Sequence, residues 1–274
     1  RGVRPVGECQ FGGDGRPGYI LVGDSHAAAM RPAFASVVAL TGLRGELWWE
    51  SGCVVLQGAE TTRVGAEHCR SFKAEVFSAL ERRSDISLVV LAARWPSYLL
   101  GTNPEQVGRH RTFLVPSNGK GSQSEEATIT LFERSIEATV KRIVQSEKRV
   151  VLIGTVPEPG FDVPTLTALA RLNSVVRDGD LSVDEVQERN ELVDQILERV
   201  AAQVPGVHYV RVWDSICSAE ACSSSWEGLP AYTDDDHISS RFARDRLGGI
   251  LDKLWPLARG RVRDESEVEA AVAE

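Results

Sequence analysis

Five short apolar runs alternate with longer amphipathic stretches along this chain. GYILVG (18–23), GELWWE (45–50), ISLVVLAA (86–93), RVVLIGTV (149–156) and VHYVRVW (207–213) read as strands. The third is a continuous apolar run with β-branched residues, as expected of a central parallel strand covered on both faces. HAAAMRPAFASVVAL, which follows the first run, has helical composition. Residues 68–82 place Phe72, Val76, Phe77 and Leu80 on one helical face, and residues 125–146 do the same with Ile129, Phe132, Ile136, Val140 and Ile143. Ser182 with Glu185 three residues later resembles a capping box that opens a helix running to about 202. A final helix is expected over about 239–257. PEPGFDVP reads as a loop, and residues 95–125, rich in Gly, Pro, Ser and Asn, read as irregular.

Strands alternating with helices predict an α/β fold. The expected form is a three-layer α/β/α sandwich around a five-stranded parallel sheet in the flavodoxin-like order 2-1-3-4-5. In such sheets ligands lie beyond the carboxyl ends of the strands, which points to the loops after residues 23, 50, 93, 156 and 213. There is no internal repeat. Residues 17–258 are expected to form one domain, with 1–16 a linker or domain boundary and 259–274 a mobile tail.

Charge and cysteine content narrow the function classes. The 31 basic and 39 acidic residues give −8, spread along the chain rather than in blocks. That disfavours nucleic acid, which rewards a clustered basic face. A glycan partner stays open. No stretch approaches the ~20 apolar residues that span a bilayer. Residues 1–12 have no apolar signal core and begin with Arg1, so the chain reads as processed or excised. Of the five cysteines, Cys217 and Cys222 flank a short polar loop, and Cys53 and Cys69 flank a Gly- and Thr-containing stretch. Two local disulfides with Cys9 left over would imply an oxidising compartment; five reduced thiols are the alternative.

Two motifs carry chemistry. Asp24-Ser25-His26 follows the first strand at the start of a helix, where a Ser hydroxyl projects above the sheet and developing negative charge is favoured. Asp24 or Ser25 as a simple helix cap is the bland alternative. A serine hydroxyl needs a base. Tyr232-Thr233-Asp234-Asp235-Asp236-His237-Ile238-Ser239 offers one, because Asp234 and His237 are three apart and one turn brings them together. His237 can then face Ser25 with one ring nitrogen and Asp234 with the other. Asp235 is less well spaced, and Asp236 is expected to point elsewhere. An acidic solvated loop, or a metal site, are the competing readings; the histidines at 26, 68, 110 and 208 show no ligand spacing, so no metal is expected.

Together these motifs resemble the SGNH hydrolases, and more narrowly the SGNH domain at the C-terminus of membrane acyltransferase-3 proteins, over about residues 17–256. VGDSHA is similar to the first family block, ESGC (50–53) to the second, VVLAARWPSY (89–98) to the third, VLIGTVPE (151–158) to the fourth strand and loop, and YTDDDHIS to the last. The resemblance implies Ser25 as nucleophile, an Asp234/His237 pair selected by the D-x-x-H spacing, and oxyanion donors at the N–H groups of Ser25 and Gly52. The paired late cysteines also look familial. The chain departs from the wider family in its third block, where Ala93-Arg94-Trp95-Pro96 lacks the usual Asn. Arg94 could supply a third oxyanion donor, bind substrate, or form a structural ion pair. Trp95 and Tyr98 could stack on a sugar or pack internally, and Asp24 and His26 are further candidates for substrate contact.

The implied activity is O-acyl transfer, acetyl above all, to hydroxyls of a cell-envelope glycan through an acyl-serine. Alternatives are a free-standing carbohydrate O-acetylesterase and a non-catalytic glycan-binding module. No cofactor is implied. The acyl donor would come from a membrane acyltransferase-3 domain in the same chain or complex, or by an acyl-CoA-derived route. The expected location is extracytoplasmic, periplasmic or on the outer face of the bacterial cytoplasmic membrane. Residues 95–125 leave a lid over the site as an open question.

Overall fold

In the computed structural model, residues 9–12, 17–41, 44–62, 66–101, 114–119, 124–173 and 179–248 are described. The apolar runs become strands whose successive side chains face opposite ways. Ile20 and Val22 enter one core cluster, with Val89, Leu91, Val150 and Leu152. Tyr19 and Leu21 enter a second, with Val90, Val151 and Ile153. A sheet buried on both faces separates the two.

Strands β1 (Cys9–Gly12), β2 (Pro17–Gly23), β3 (Arg44–Trp49), β4 (Leu88–Ala92), β5 (Arg149–Ile153) and β6 (Val207–Val210) form this sheet. Their order is β1-β3-β2-β4-β5-β6. β2 to β6 are parallel and keep the expected 2-1-3-4-5 order. Helix α1 (Ser25–Thr41) covers one face; α2 (Ala66–Arg82), α4 (Glu125–Gln145) and α6 (Val183–Gln203) cover the other. The apolar stripe of α4 is buried through Phe132, Ile136, Val140 and Ile143. The capping box at Ser182 and Glu185 opens α6 as the spacing predicts. Among the described residues no helix is long and apolar enough to cross a membrane.

The sheet has six strands rather than five. β1 pairs antiparallel with β3, from Cys9 beside Leu47 to Gly12 beside Arg44. It was illegible because four residues with a single inward apolar side chain give no periodic signal. That side chain, Phe11, packs edge-on to Tyr19, with ring centroids 5.8 Å apart. Residues 9–12 of the expected linker thus belong to the sheet. Two short helices also went unread: α3 (Trp95–Leu99) and α5 (Val163–Asn173). Leu114–Pro116, inside the stretch read as irregular, pairs antiparallel with Ala59–Thr61. The final helix starts at Ser240, capped by Ser239, and widens into a π turn at Ala243–Leu247. The remainder of that helix, the tail at 259–274, and residues 102–113 and 120–123 of a conceivable lid lie outside the described residues.

Candidate active site

The site begins where β2 ends. A Cβ at Gly23 would lie 1.7 Å from the carbonyl oxygen of Ala92, so only glycine lets β2 and β4 close at this point. Asp24 then turns the chain into α1. One carboxylate oxygen accepts the N–H of His26 at 2.8 Å, as a helix cap. The other accepts the backbone N–H of Arg94 at 3.0 Å and the Tyr98 hydroxyl at 2.9 Å. Asp24 is only 1% exposed, so it serves as a buried tie between the β2–α1 turn and the chain after β4. Ser25 is the first residue of α1 and is half-buried.

The base sits in a loop that folds on itself. Tyr232 and Ile238 form a bridge, and the Thr233 N–H donates to the His237 carbonyl at 2.8 Å. Asp234 Oδ1 accepts the backbone N–H groups of Asp236 and His237 at 3.0 and 2.7 Å. Asp234 Oδ2 lies 2.8 Å from His237 Nδ1, and His237 Nε2 lies 2.8 Å from Ser25 Oγ. In the neutral, reactive form of His237 this network places the hydrogen on Nδ1, toward Asp234, and leaves Nε2 to accept from the serine. The loop is anchored to the start of α5 by the Gly160 N–H on the Asp235 carbonyl and the Val163 N–H on the Asp234 carbonyl.

Asp236 corrects the sequence reading. It does not point elsewhere: the turn at Asp234 folds its carboxylate back under the imidazole, and it is 3% exposed. Its Oδ1 lies 2.6 Å from His237 Nδ1 but off the N–H axis, and 3.7 Å from His26 Nε2. Its Oδ2 pairs with Arg94 Nη1. Arg94 also holds Glu158 in a fork, Nε and Nη2 at 3.1 and 3.0 Å. Arg189 reaches the same carboxylate at 3.2 Å. Burial raises the Glu158 pKa, yet the two arginines outweigh it and hold it below the carboxylate range. Burial likewise lowers His237, but the two carboxylates beside it prevail and push it up to about 9.

The remaining candidates fall into place around this centre. Arg94 is an ion-pair residue here, with its backbone N–H on Asp24 and its guanidinium on Glu158 and Asp236. Trp95 and Tyr98, 1% and 4% exposed, lie inside the core. The Trp95 indole donates to the Ile153 carbonyl at 2.8 Å and its ring meets Phe132 edge-on, so neither aromatic presents a face to a sugar. His26 is buried against His237, with centroids 4.7 Å apart. Gly52 sits in a turn after β3 at φ 68°, a conformation that favours glycine. The Glu50 N–H on the Gly23 carbonyl ties that turn to the end of β2. A Cys53–Cys69 disulfide pins its other side to α2, and Cys217–Cys222 closes the later loop; Cys9 is in neither bridge.

His26, Asp236 and His237 bring three donor atoms within 4.8 Å of one another. Asp236 is already neutralised by Arg94 and His237 Nδ1 faces Asp234, so we read the cluster as an ion-pair network and not a cation site. Glu158 and Arg189 were missed as site residues. An acid just past the fourth strand was a signal for Glu158; Arg189, in mid-helix, had none.

A family model described as "SGNH domain (fused to AT3 domains)" matches residues 2–249. Among solved structures, the periplasmic domain of a lipopolysaccharide acetyltransferase from Salmonella ser. Paratyphi A superposes with a TM-score of 0.63. It is 13% identical, with 87% of this chain and 85% of that one covered. A family 3 carbohydrate esterase from Clostridium thermocellum gives 0.44 at 12% identity, covering 88% of this chain and 96% of that one. A GDSL-like lipase from Bacteroides thetaiotaomicron gives 0.43 at 12% identity, covering 88% of both chains. No functionally curated protein matches significantly.

Proposed function

This chain belongs to the family of SGNH domains fused to AT3 domains, and on that premise we propose that it transfers an acyl group, acetyl above all, to a hydroxyl of a cell-envelope glycan through an acyl-serine on Ser25. The carrying observation is the unbroken run Ser25 Oγ–His237–Asp234, two contacts of 2.8 Å each, at the start of a helix and the carboxyl end of the central strand.

In the first half-reaction Ser25 Oγ bonds to the acyl carbonyl carbon while its proton passes to His237 Nε2. The N–H groups of Ser25 and Gly52 are the proposed oxyanion donors, aided by the positive end of α1. Collapse breaks the bond to the donor's leaving group, which takes the proton from His237. In the second half-reaction a sugar hydroxyl gives its proton to His237 and bonds to the acyl carbon, and the Ser25 oxygen departs and is reprotonated. No cofactor enters these steps. A membrane acyltransferase-3 domain in the same chain is the proposed source of the acyl group, with an acyl-CoA-derived route as the alternative. Two disulfides support an extracytoplasmic setting.

An O-acetylesterase with the same residues is the second reading. It draws support from the His237 side chain, which is 28% exposed, so water can reach the base. The aligned Ser25 and His237 speak against a binding-only module. The deciding experiment measures acetate release from a soluble acetyl ester by wild type, Ser25→Ala and His237→Ala, then adds candidate glycans. Acetylated glycan formed at the expense of free acetate supports transfer. Release unaffected by either substitution sinks the serine assignment.

A further inference from the structure

The relay from Ser25 through His237 needs one carboxylate, and the structure supplies two. His237 Nδ1 carries a single proton. Asp234 Oδ2 receives it along the N–H axis. Asp236 Oδ1 stands nearer but off that axis, with no aligned donor of its own, so its contribution is charge. The two acids also differ in surroundings. Asp234 is 40% exposed and screened by solvent; Asp236 is 4% exposed at its side chain, where the same charge acts more strongly.

Asp236 is held there from behind. Glu158 occupies Arg94 Nε and Nη2, which leaves Nη1 to Asp236 Oδ2. Arg189 from α6 fixes the far side of Glu158. Arg94 lies in the stretch Ala93-Arg94-Trp95-Pro96, which lacks the asparagine that the wider family resemblance leads one to expect. His26 from α1 packs on the His237 ring and lies 3.7 Å from Asp236. Among the described residues, the charged or titratable groups around His237 are Asp234, Asp235 and Asp236 on its own loop, His26 on α1 and Arg94 after β4, with Asp24, Glu158 and Arg189 one layer behind.

We propose that Asp236 is a second positioning residue for His237: anchored by Arg94, it holds the imidazolium that forms when Ser25 gives up its proton, while Asp234 takes the Nδ1–H and sets the ring's orientation. This rests on the acyl-serine reading. It gives the Arg94–Glu158–Arg189 chain a role in the reaction, carried through a carboxylate rather than through an oxyanion contact. Burial by itself would raise the Asp236 pKa, but the His237 and His26 rings and Arg94 outweigh it, so the carboxylate stays anionic at working pH.

The test follows the His237 ring by NMR across pH in the whole chain, its signal identified by loss in His237→Gln, beside the pH profile of kcat/KM for acetyl-ester hydrolysis. Wild type is expected to titrate near 9. Asp236→Asn should lower that by at least ~1 pH unit and carry the acid limb of kcat/KM down with it. Asp234→Asn should leave His237 above its ordinary ~6.5. An unmoved titration in Asp236→Asn overturns the proposal, as does a return to ordinary in Asp234→Asn alone. If Asp236→Asn does not fold, the wild type and Asp234→Asn still decide, because an ordinary His237 in either refutes it. The NMR arm needs no turnover: an inert wild type with these titrations sinks acyl transfer and not the pairing.

Discussion

Ser25 Oγ and His237 Nε2 lie 2.8 Å apart although 212 positions separate the two residues along the chain. That distance is a property of the sheet. β2 delivers Ser25 to its carboxyl end, and the loop before the last helix is tied by backbone bonds into a shape that aims one imidazole nitrogen back at it. Ser25→Ala is expected to lower acetyl-ester turnover by at least ~10⁴-fold while leaving the circular dichroism spectrum unchanged. Retained turnover, or an unfolded variant, would count against the assignment.

Activity and stability should respond oppositely to alkaline pH. His237 accepts a proton only when neutral, and its pKa of about 9 leaves it mostly charged at pH 7. Turnover should therefore climb close to tenfold between pH 7 and 8, more slowly through about 9, and then level. The paired imidazolium stabilises the fold. Its contribution is full below the unfolded histidine value of ~6.5 and fades as pH rises through about 9. A pH series of kcat/KM beside melting temperatures would show the two trends; a flat rate between pH 7 and 9 would contradict this electrostatic picture.

Gly52 should be intolerant of a side chain. At φ 68°, Gly52→Ala adds backbone strain of about 1 kcal/mol and displaces the turn that carries a proposed oxyanion donor. We expect a melting temperature a few degrees lower and a fall in kcat of ~10²-fold or more with KM little changed. An unchanged kcat would remove Gly52 from the oxyanion site.

Arg94→Met would take the shared arginine from two buried carboxylates, leaving Glu158 to Arg189 and Asp236 to the histidines, so a loss of about 3 kcal/mol is expected in urea unfolding. Trp95→Ala should also act on stability, by about 3–5 kcal/mol, because its ring is core and not a sugar platform. A Trp95 variant as stable as wild type with weakened glycan binding would reverse that conclusion.

Peptide mapping without reduction should recover Cys53–Cys69 and Cys217–Cys222, with Cys9 outside both bridges. Any other connectivity would refute the pairing.

The parallel strands were legible as continuous apolar runs, α2 and α4 because each repeats a period long enough to register, Phe72 to Leu80 or Phe132 to Ile143, and α6 because Ser182 and Glu185 form its capping box. The Asp234/His237 spacing was legible because one turn suffices to join them. Asp236 was misjudged because neighbours in sequence were assumed to diverge, whereas the Asp234 side chain bends the backbone of the next residues toward itself. The destination of Arg94 depended on Glu158, 64 positions away, and no local pattern reports such a meeting. α5 was hidden behind a proline-rich stretch, PEPGFDVP, whose last residues already start the helix.

The direction of β1 decides which rim of the sheet its first residue occupies. β1 runs against β3, so Cys9 lies beside Leu47 near the carboxyl end of the sheet, and Gly12 lies beside Arg44 at the opposite end. The polypeptide enters the sheet from the rim where the nucleophile opens. β1 thus spans the sheet from the reactive rim to the opposite one, and Phe11, midway along it, ties that edge to Tyr19 of the strand that carries the nucleophile.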